Sequence, residues 1–217
     1  MILVPVKNLS SAKQRLASLL DQAARTELAR TMLLDVLETL ASWACRPEVA
    51  IVTSDPFACD LARCFTFEVI HDSANRSETA AIEMATQVCE ASAVDFTLVI
   101  PGDIPLIQAW ELEKILQAAP GEGSVLSPAA DGRGTNAAFR RPAGLFPMRF
   151  GDDSFQPHLA AARATGKPVV VLPLPGIALD IDSPADLRRL ADSPGETRSQ
   201  RMVRNFDLAD LPRAANE

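Results

Sequence analysis

Short apolar runs alternate with longer amphipathic ones along almost the whole chain. Ile2–Val6, Val49–Thr53, Phe96–Pro101 and Val169–Leu172 are compact β-rich runs, too short for helices, and read as strands. Shorter strand candidates are Glu68–Ile70, Ser124–Ser127 and Asn136–Phe139. Between the first two strands Leu28, Met32, Val36, Leu37 and Leu40 recur at helical spacing and form one apolar stripe, with Asp21 placed to cap that helix. Ser11 and Gln14 fit a capping box for a short helix running to Leu20. Thr79–Ala91, Gln108–Ala118, a segment from Ser154 through Arg163, and Pro184–Leu190 read as further helices. Pro56 and Pro105 each follow a strand, where a helix can begin but a sheet cannot continue.

Repeated strand–helix alternation predicts an α/β fold with a mostly parallel sheet and helices on both faces. In such sheets ligands sit beyond the carboxyl ends of the strands, where strand order reverses, so chemistry is sought just after strands. From Ser193 the pattern breaks into Ser-Pro-Gly-Glu-Thr-Arg-Ser-Gln-Arg. The expectation is one domain over residues 1–192 and a tail over 193–217, with a short docking segment around Phe206–Leu211.

Composition narrows the class. With 217 residues, 47% of them hydrophobic, the chain can bury a substantial core. A net charge of −7 leaves no basic footprint, which argues against nucleic acid as a partner. A few placed cations can still bind a phosphate locally. No apolar run is long enough to cross a bilayer, so no membrane partner is expected. The start, Met1-Ile2-Leu3-Val4-Pro5-Val6-Lys7, lacks the basic residues and long apolar stretch of a signal peptide, so a cytoplasmic location is expected. Cys45, Cys59, Cys64 and Cys89 form no Cys-x-x-Cys pair and are expected as reduced, packed thiols.

Candidate chemistry falls at the predicted strand ends. Lys7, Lys13 and Arg15 follow the first strand, where a loop can bring cations and amides to a polyphosphate. On a solvated helix face the same residues would be ordinary. Asp103, in Pro101-Gly102-Asp103-Ile104-Pro105, emerges after the third long apolar run, or else simply caps the next helix. In Leu179-Asp180-Ile181-Asp182-Ser183-Pro184 an extended backbone puts Asp180 and Asp182 on one face. Their mutual repulsion calls for a screening cation. With Asp103 they make an oxygen-ligand site suited to Mg²⁺, while Asp182 or Ser183 also fits as a helix cap. Gly132-Arg133-Gly134-Thr135-Asn136 offers a hydroxyl and an amide to a phosphate or carboxylate, and is equally a hairpin signal. In Phe150-Gly151-Asp152-Asp153-Ser154-Phe155, Ser154 is placed to bind an anion at a helix start. His158 reads as a buried helix residue rather than a catalytic one.

Taken in order, these segments resemble the 2-phospho-L-lactate guanylyltransferase family of coenzyme F-420 biosynthesis. The matching elements are Val4-Pro5-Val6-Lys7 with Ala12-Lys13-Gln14-Arg15-Leu16, Pro101-Gly102-Asp103-Ile104-Pro105-Leu106, and Gly134-Thr135-Asn136-Ala137. Phe150-Gly151-x-x-Ser154-Phe155-x-x-His158 and Pro175-Gly176-Ile177-x-Leu179-Asp180-Ile181-Asp182-Ser183-Pro184-x-Asp186-Leu187 complete the set. The resemblance implies a Rossmann-like nucleotidyltransferase fold, a three-layer sandwich related to glycosyltransferase A. It implies GMP transfer from GTP to a small phosphorylated acid (phosphoenolpyruvate, 2-phospho-L-lactate or 3-phospho-D-glycerate) with release of pyrophosphate. By motif, Asp103, Asp180 and Asp182 would hold Mg²⁺, and Asp103 with Lys7, Lys13 and Arg15 would be catalytic. Thr135, Asn136, Gly151 and Ser154 would bind the acid, and Lys7, Lys13, Asn75 and Glu78 the nucleotide. The chain departs from the family around Asp72–Ala81, where many relatives have a glycine-rich turn and a Leu-Asn pair. There Glu78 fits either a guanine edge or a helix N-terminus. A homodimer is compatible with this reading and not required by it. Competing readings are a cytidylyl- or molybdopterin-nucleotidyltransferase, a nucleotide-sugar glycosyltransferase of the same fold, and a non-enzymatic nucleotide-binding module.

Overall fold

In a computed structural model, residues 1–151 and 153–206 are described. The chain begins with β1 (Ile2–Val6), two 3₁₀ turns (Leu9–Ser11 and Gln14–Leu16) and α1 (Gln22–Ser42). Next come β2 (Val49–Thr53), α2 (Pro56–Cys64), β3 (Glu68–His71), α3 (Glu78–Ala91), β4 (Thr97–Val99) and α4 (Ala109–Ala118). The second half holds β5 (Gly123–Pro128), β6 (Thr135–Arg141), α5 (Phe155–Ala164) and β7 (Val169–Val171). It closes with α6 (Pro175–Ala178), α7 (Pro184–Asp192) and α8 (Arg198–Arg204).

The strands join in one sheet in the order β3-β2-β1-β4-β6-β5-β7. All pairings are parallel except those of β6, which runs antiparallel to both β4 and β5. The sheet is therefore mostly parallel, as the alternation predicts. Strand order reverses at β1, which has β2 on one side and β4 on the other. The carboxyl ends of β1 and β4 thus flank the natural ligand crevice.

Side-chain alternation along β1 serves two cores. Ile2, Val4 and Val6 pack with Leu33, Val36, Leu37 and Leu40 of α1 on one face. Leu3 packs with Ile82, Ala85 and Cys89 of α3 on the other. Both faces are covered, giving the expected three layers. The stripe on α1 is broader than its spacing predicts, because the helix is buried on two sides. Leu28 and Met32 face a third cluster containing Leu187 and Leu190 of α7 and Val203 of α8. The chain beyond Ser193 folds back to close that cluster with Val203. Thr197 and Gln200 form a capping box for α8, and the buried Asp35 of α1 accepts from Arg198 N at 3.0 Å and Ser199 N at 2.8 Å. The segment that composition marks as a tail is thus a docked helix through Arg204, while Asp207–Glu217, with most of the expected docking segment, lies outside the described residues.

The four thiols are free, but only Cys89 is buried, and Cys45 and Cys64 are exposed. Among the described residues no helix is long and apolar enough to cross a membrane.

Candidate active site

After β1 the chain is pinned before it reaches its functional cations. Asn8 accepts from Ser10 N at 2.9 Å and starts the first 3₁₀ turn, and Leu9 N donates to Asp55 Oδ2 at 3.0 Å. The other oxygen of Asp55 caps α2 through Ala58 N. Lys13 then takes a left-handed backbone, φ 56° and ψ 43°. For a residue with a side chain this costs on the order of 1 kcal/mol. The strain is offset by where it sends the ammonium: Lys13 Nζ donates to Asp103 Oδ2 at 2.6 Å and to Asp182 Oδ1 at 2.8 Å. The predicted Ser11/Gln14 capping box does not form. The left-handed residue between them interrupts any helix, and Gln14 instead donates back to the Ser11 carbonyl at 2.9 Å.

The Lys13 side chain is 7% exposed, against 31% for that of Asp103 and 42% for that of Asp182. Burial works to lower its pKa, but the two carboxylates outweigh burial and hold it above the ordinary lysine value. For Asp182, burial works upward and is outweighed by Lys13 first and then Arg15, so its pKa is lowered. Arg15 Nη1 lies 3.5 Å from Asp182 Oδ2.

Asp182 is free for this role because its neighbours do the capping. Ser183 caps α7 and Asp186 answers it, accepting from Ser183 N at 2.8 Å. Ile181 N donates to the Asp103 carbonyl at 3.2 Å, stapling the acidic segment to the loop after β4. Asp180 accepts from Asn136 Nδ2 at 3.0 Å. Its carboxyl is raised chiefly by burial, with Asn136 opposing and the charges of Asp103 and Asp182 adding to the rise. Three aspartates from two distant segments of the chain therefore share one electrostatic neighbourhood.

The remaining nucleotide-side residues gather at the same cleft, about 410 Å³ in volume and lined by Lys7, Lys13, Arg15, Glu78, Asp103 and Asp182 among others. That volume lies within the range of small-ligand pockets. Lys7 Nζ donates to Asn75 Oδ1 at 3.2 Å and lies 3.8 Å from Asp72 Oδ2. Asn75, at φ 42°, donates its own N–H to Asp72. Glu78 is the first residue of α3, behind the Ser77 cap, and it also faces the cleft. Burial, then Asp103 and Asp182, push its pKa up to about 7.

Thr135 and Asn136 open β6 and, like Gly151 and Ser154, do not line that cleft. Thr135 N donates to Ser154 Oγ at 3.0 Å, so the two predicted acid-binding hydroxyl residues are adjacent. Asn136 also donates to the carbonyls of Ile177 at 3.0 Å and Ala178 at 3.2 Å, which makes it a strut for the acidic segment. Gly151 is exposed at φ 131°, a conformation that favours glycine, and the adjacent Asp152 lies outside the described residues. Arg133 pairs with Asp153. His158 is fully buried, as its sequence context predicts.

Two contributors escape sequence reading. Asp72 orients Lys7, and Thr79 exchanges hydrogen bonds with Phe150, tying the start of α3 to the loop before Ser154. Asp72 carries the general signal of an acid directly after a strand; Thr79 carries none.

The donor chemistry fits a divalent cation. Mg²⁺ takes one or two carboxylates, with phosphate oxygens and water completing its shell. Asp103 and Asp182 are both within reach of one ammonium group. Among the described residues no three histidine, cysteine or carboxylate side chains form a ready-made shell, so the remaining ligands would have to come from substrate and water.

A family model described as "Guanylyl transferase CofC like" matches residues 1–215. The chain belongs to this family. Among guanylyltransferase relatives, a phosphoenolpyruvate guanylyltransferase from Roseiflexus castenholzii is 37% identical over 204 residues, covering 94% of this chain and 93% of its own. A 2-phospho-L-lactate guanylyltransferase from Methanothermobacter thermautotrophicus is 30% identical, covering 97% and 92%. A solved structure from Desulfovibrio desulfuricans G20, provisionally assigned as a nucleotide-diphospho-sugar transferase, superposes with a TM-score of 0.75. At 20% identity over 94% of this chain and 93% of that one, it shows that the guanylyltransferase chain shares a nucleotidyltransferase-like fold.

Proposed function

We propose that this guanylyltransferase moves GMP from GTP to a phosphorylated three-carbon acid, phosphoenolpyruvate in the first instance, with Mg²⁺ and in the cytoplasm, as a step toward coenzyme F-420. The observation that carries the reading is the Lys13 ammonium held between Asp103 and Asp182 at the strand-order reversal. It makes a cation-and-carboxylate centre in the crevice where such folds bind nucleotides. The choice of acid is supported by the relatives at 37% and 38% identity, both phosphoenolpyruvate guanylyltransferases, against 30% for the 2-phospho-L-lactate enzyme.

The chemistry needs no protein nucleophile. A phosphate monoester, with a second pKa of about 6, is largely a dianion at neutral pH. Its oxygen forms a bond to the α-phosphorus of GTP as the bond from that phosphorus to the bridging oxygen breaks, and pyrophosphate leaves with the electron pair. The protein must align two anions and lower their repulsion. Lys7, Lys13 and Arg15 face the triphosphate, with Asn75 and Glu78 on the same side of the cleft. Thr135, Gly151 and Ser154 hold the acid, and Asn136 keeps Asp180 in place. Mg²⁺, held by Asp103 and Asp182 with Asp180 alongside, would neutralise charge on the phosphates.

Pyrophosphate release from GTP, with phosphoenolpyruvate, 2-phospho-L-lactate and 3-phospho-D-glycerate in turn and products identified by mass, tests the reading. The expected outcome is a GMP adduct formed fastest with phosphoenolpyruvate, and GTP outcompeting CTP. Asp103→Asn is expected to cut turnover at least roughly a hundredfold with an unchanged circular dichroism spectrum. Near-wild-type turnover in that variant would take Asp103 out of the centre.

A further inference from the structure

His158 closes the segment Phe150-Gly151-x-x-Ser154-Phe155-x-x-His158, yet the transfer chemistry requires no base of it. Both of its ring nitrogens are engaged. Arg149 N donates to Nε2 at 2.7 Å, and Nδ1 lies 2.9 Å from Thr135 Oγ1. A backbone N–H can only donate, so Nε2 must be the bare, accepting nitrogen. A neutral imidazole then carries its proton on Nδ1, and Nδ1–H donates to the Thr135 hydroxyl.

The ring stays neutral for a physical reason. His158 is buried, Phe150 stands edge-on with ring centroids 5.0 Å apart, and the buried Arg140 guanidinium opposes a second positive charge. Burial first and Arg140 second bring its pKa down to about 4.

Thr135 is thereby committed as an acceptor toward the protein, and its own proton is left over. Among the described residues its hydroxyl makes no other hydrogen bond. Ser154 is in the same position, since its Oγ accepts from Thr135 N and keeps its proton. Two adjacent, nearly buried hydroxyls thus each keep a proton that no group among the described residues accepts, which suits a ligand with only acceptors, such as a carboxylate or phosphate.

We propose that His158 is a positioning residue: its Nδ1–H fixes the Thr135 hydroxyl as a donor to an oxygen of the acid acceptor. The inference rests on the proposed function in taking the Thr135–Ser154 side as the acid's place, but its core, the tautomer, is independent of activity. The chain has only two histidines, and His71 is exposed on the edge strand β3, so His71→Gln leaves a single imidazole to observe.

A long-range ¹H–¹⁵N spectrum of that variant at pH 7 should show Nδ1 protonated and Nε2 bare; the opposite tautomer, or a charged ring, overturns the proposal. Kinetics provide the second arm. His158→Leu should raise KM for the phosphorylated acid about tenfold, or about 1.4 kcal/mol, with KM for GTP within about twofold. His158→Asn, whose amide can donate from the Nδ1 position, should recover most of that loss. In a Thr135→Val background His158→Leu should add nothing further. Losses that multiply, equal loss for both substrates, or no recovery with asparagine each refute the proposal. If the leucine variant does not fold, the spectrum and the asparagine variant decide. A wild-type enzyme that releases no pyrophosphate with any of the three acids would sink the function and leave the tautomer to the spectrum.

Discussion

Replacing Glu78 by glutamine should stabilise the protein, and only above a definable pH. Burial first, then the charges of Asp103 and Asp182 in the same cleft, raise the Glu78 pKa from 4.5 to about 7, with Lys7 and Lys13 only partly compensating. A folded state that holds a proton more tightly than the unfolded chain loses stability as pH rises between those two values. At about 1.4 kcal/mol for each tenfold change in proton affinity, the full loss would be about 3 kcal/mol. Glu78 keeps partial contact with solvent, which screens the repulsion and trims the figure to roughly 2 kcal/mol. The ordinary attraction of a first-turn carboxylate to a helix N-terminus subtracts about 0.5 kcal/mol more. Glutamine has no charge to repel, so Glu78→Gln should melt roughly 3–6 °C above wild type at pH 8. The gap should shrink steadily toward pH 4.5. Thermal unfolding of both proteins across pH 5 to 8 measures it. A gap of constant size over that range, or a variant less stable at pH 8, would refute the claim that burial and the neighbouring carboxylates disfavour the Glu78 charge.

Lys13→Met removes two charge-assisted hydrogen bonds and leaves Asp103 and Asp182 without their shared cation, with Arg15 still near Asp182. Unfolding in urea should show a loss of about 2 kcal/mol once the exposure of the two aspartates is allowed for. Turnover should fall at least roughly a hundredfold. Asp35→Ala orphans two first-turn N–H groups of α8, those of Arg198 and Ser199, while the Thr197 cap remains. It should cost about 1–2 kcal/mol and open the 193–197 connection to protease, while KM for both substrates stays unchanged.

The alternation of apolar runs was enough to place all seven strands within a few residues and to give a mostly parallel sheet, because buried strands and amphipathic helices differ in period and length. Asp103 was legible for the same reason: an acid just past a buried strand in a parallel sheet lies at the ligand edge. Local chemistry placed the α7 cap at Asp182 or Ser183; the fold decided for Ser183 and brought Asp186 to it as partner.

Contacts between distant segments were not in the sequence. Nothing in the order of residues says that Lys13 adopts a left-handed backbone and reaches Asp103 and Asp182, residues 90 and 169 positions away. Nor does it separate Asp182, which meets Lys13, from Asp180, which is held by Asn136. Composition marked the chain after Ser193 as a tail, because the buried Asp35 that docks the start of α8 lies on another helix more than 150 residues earlier. The proton of His158 followed the same rule: its place on Nδ1 depends on a backbone N–H and a threonine brought to the ring by the fold. Sequence fixes what each segment prefers by itself; the fold decides which charges and protons meet, since those energies depend on distance in space.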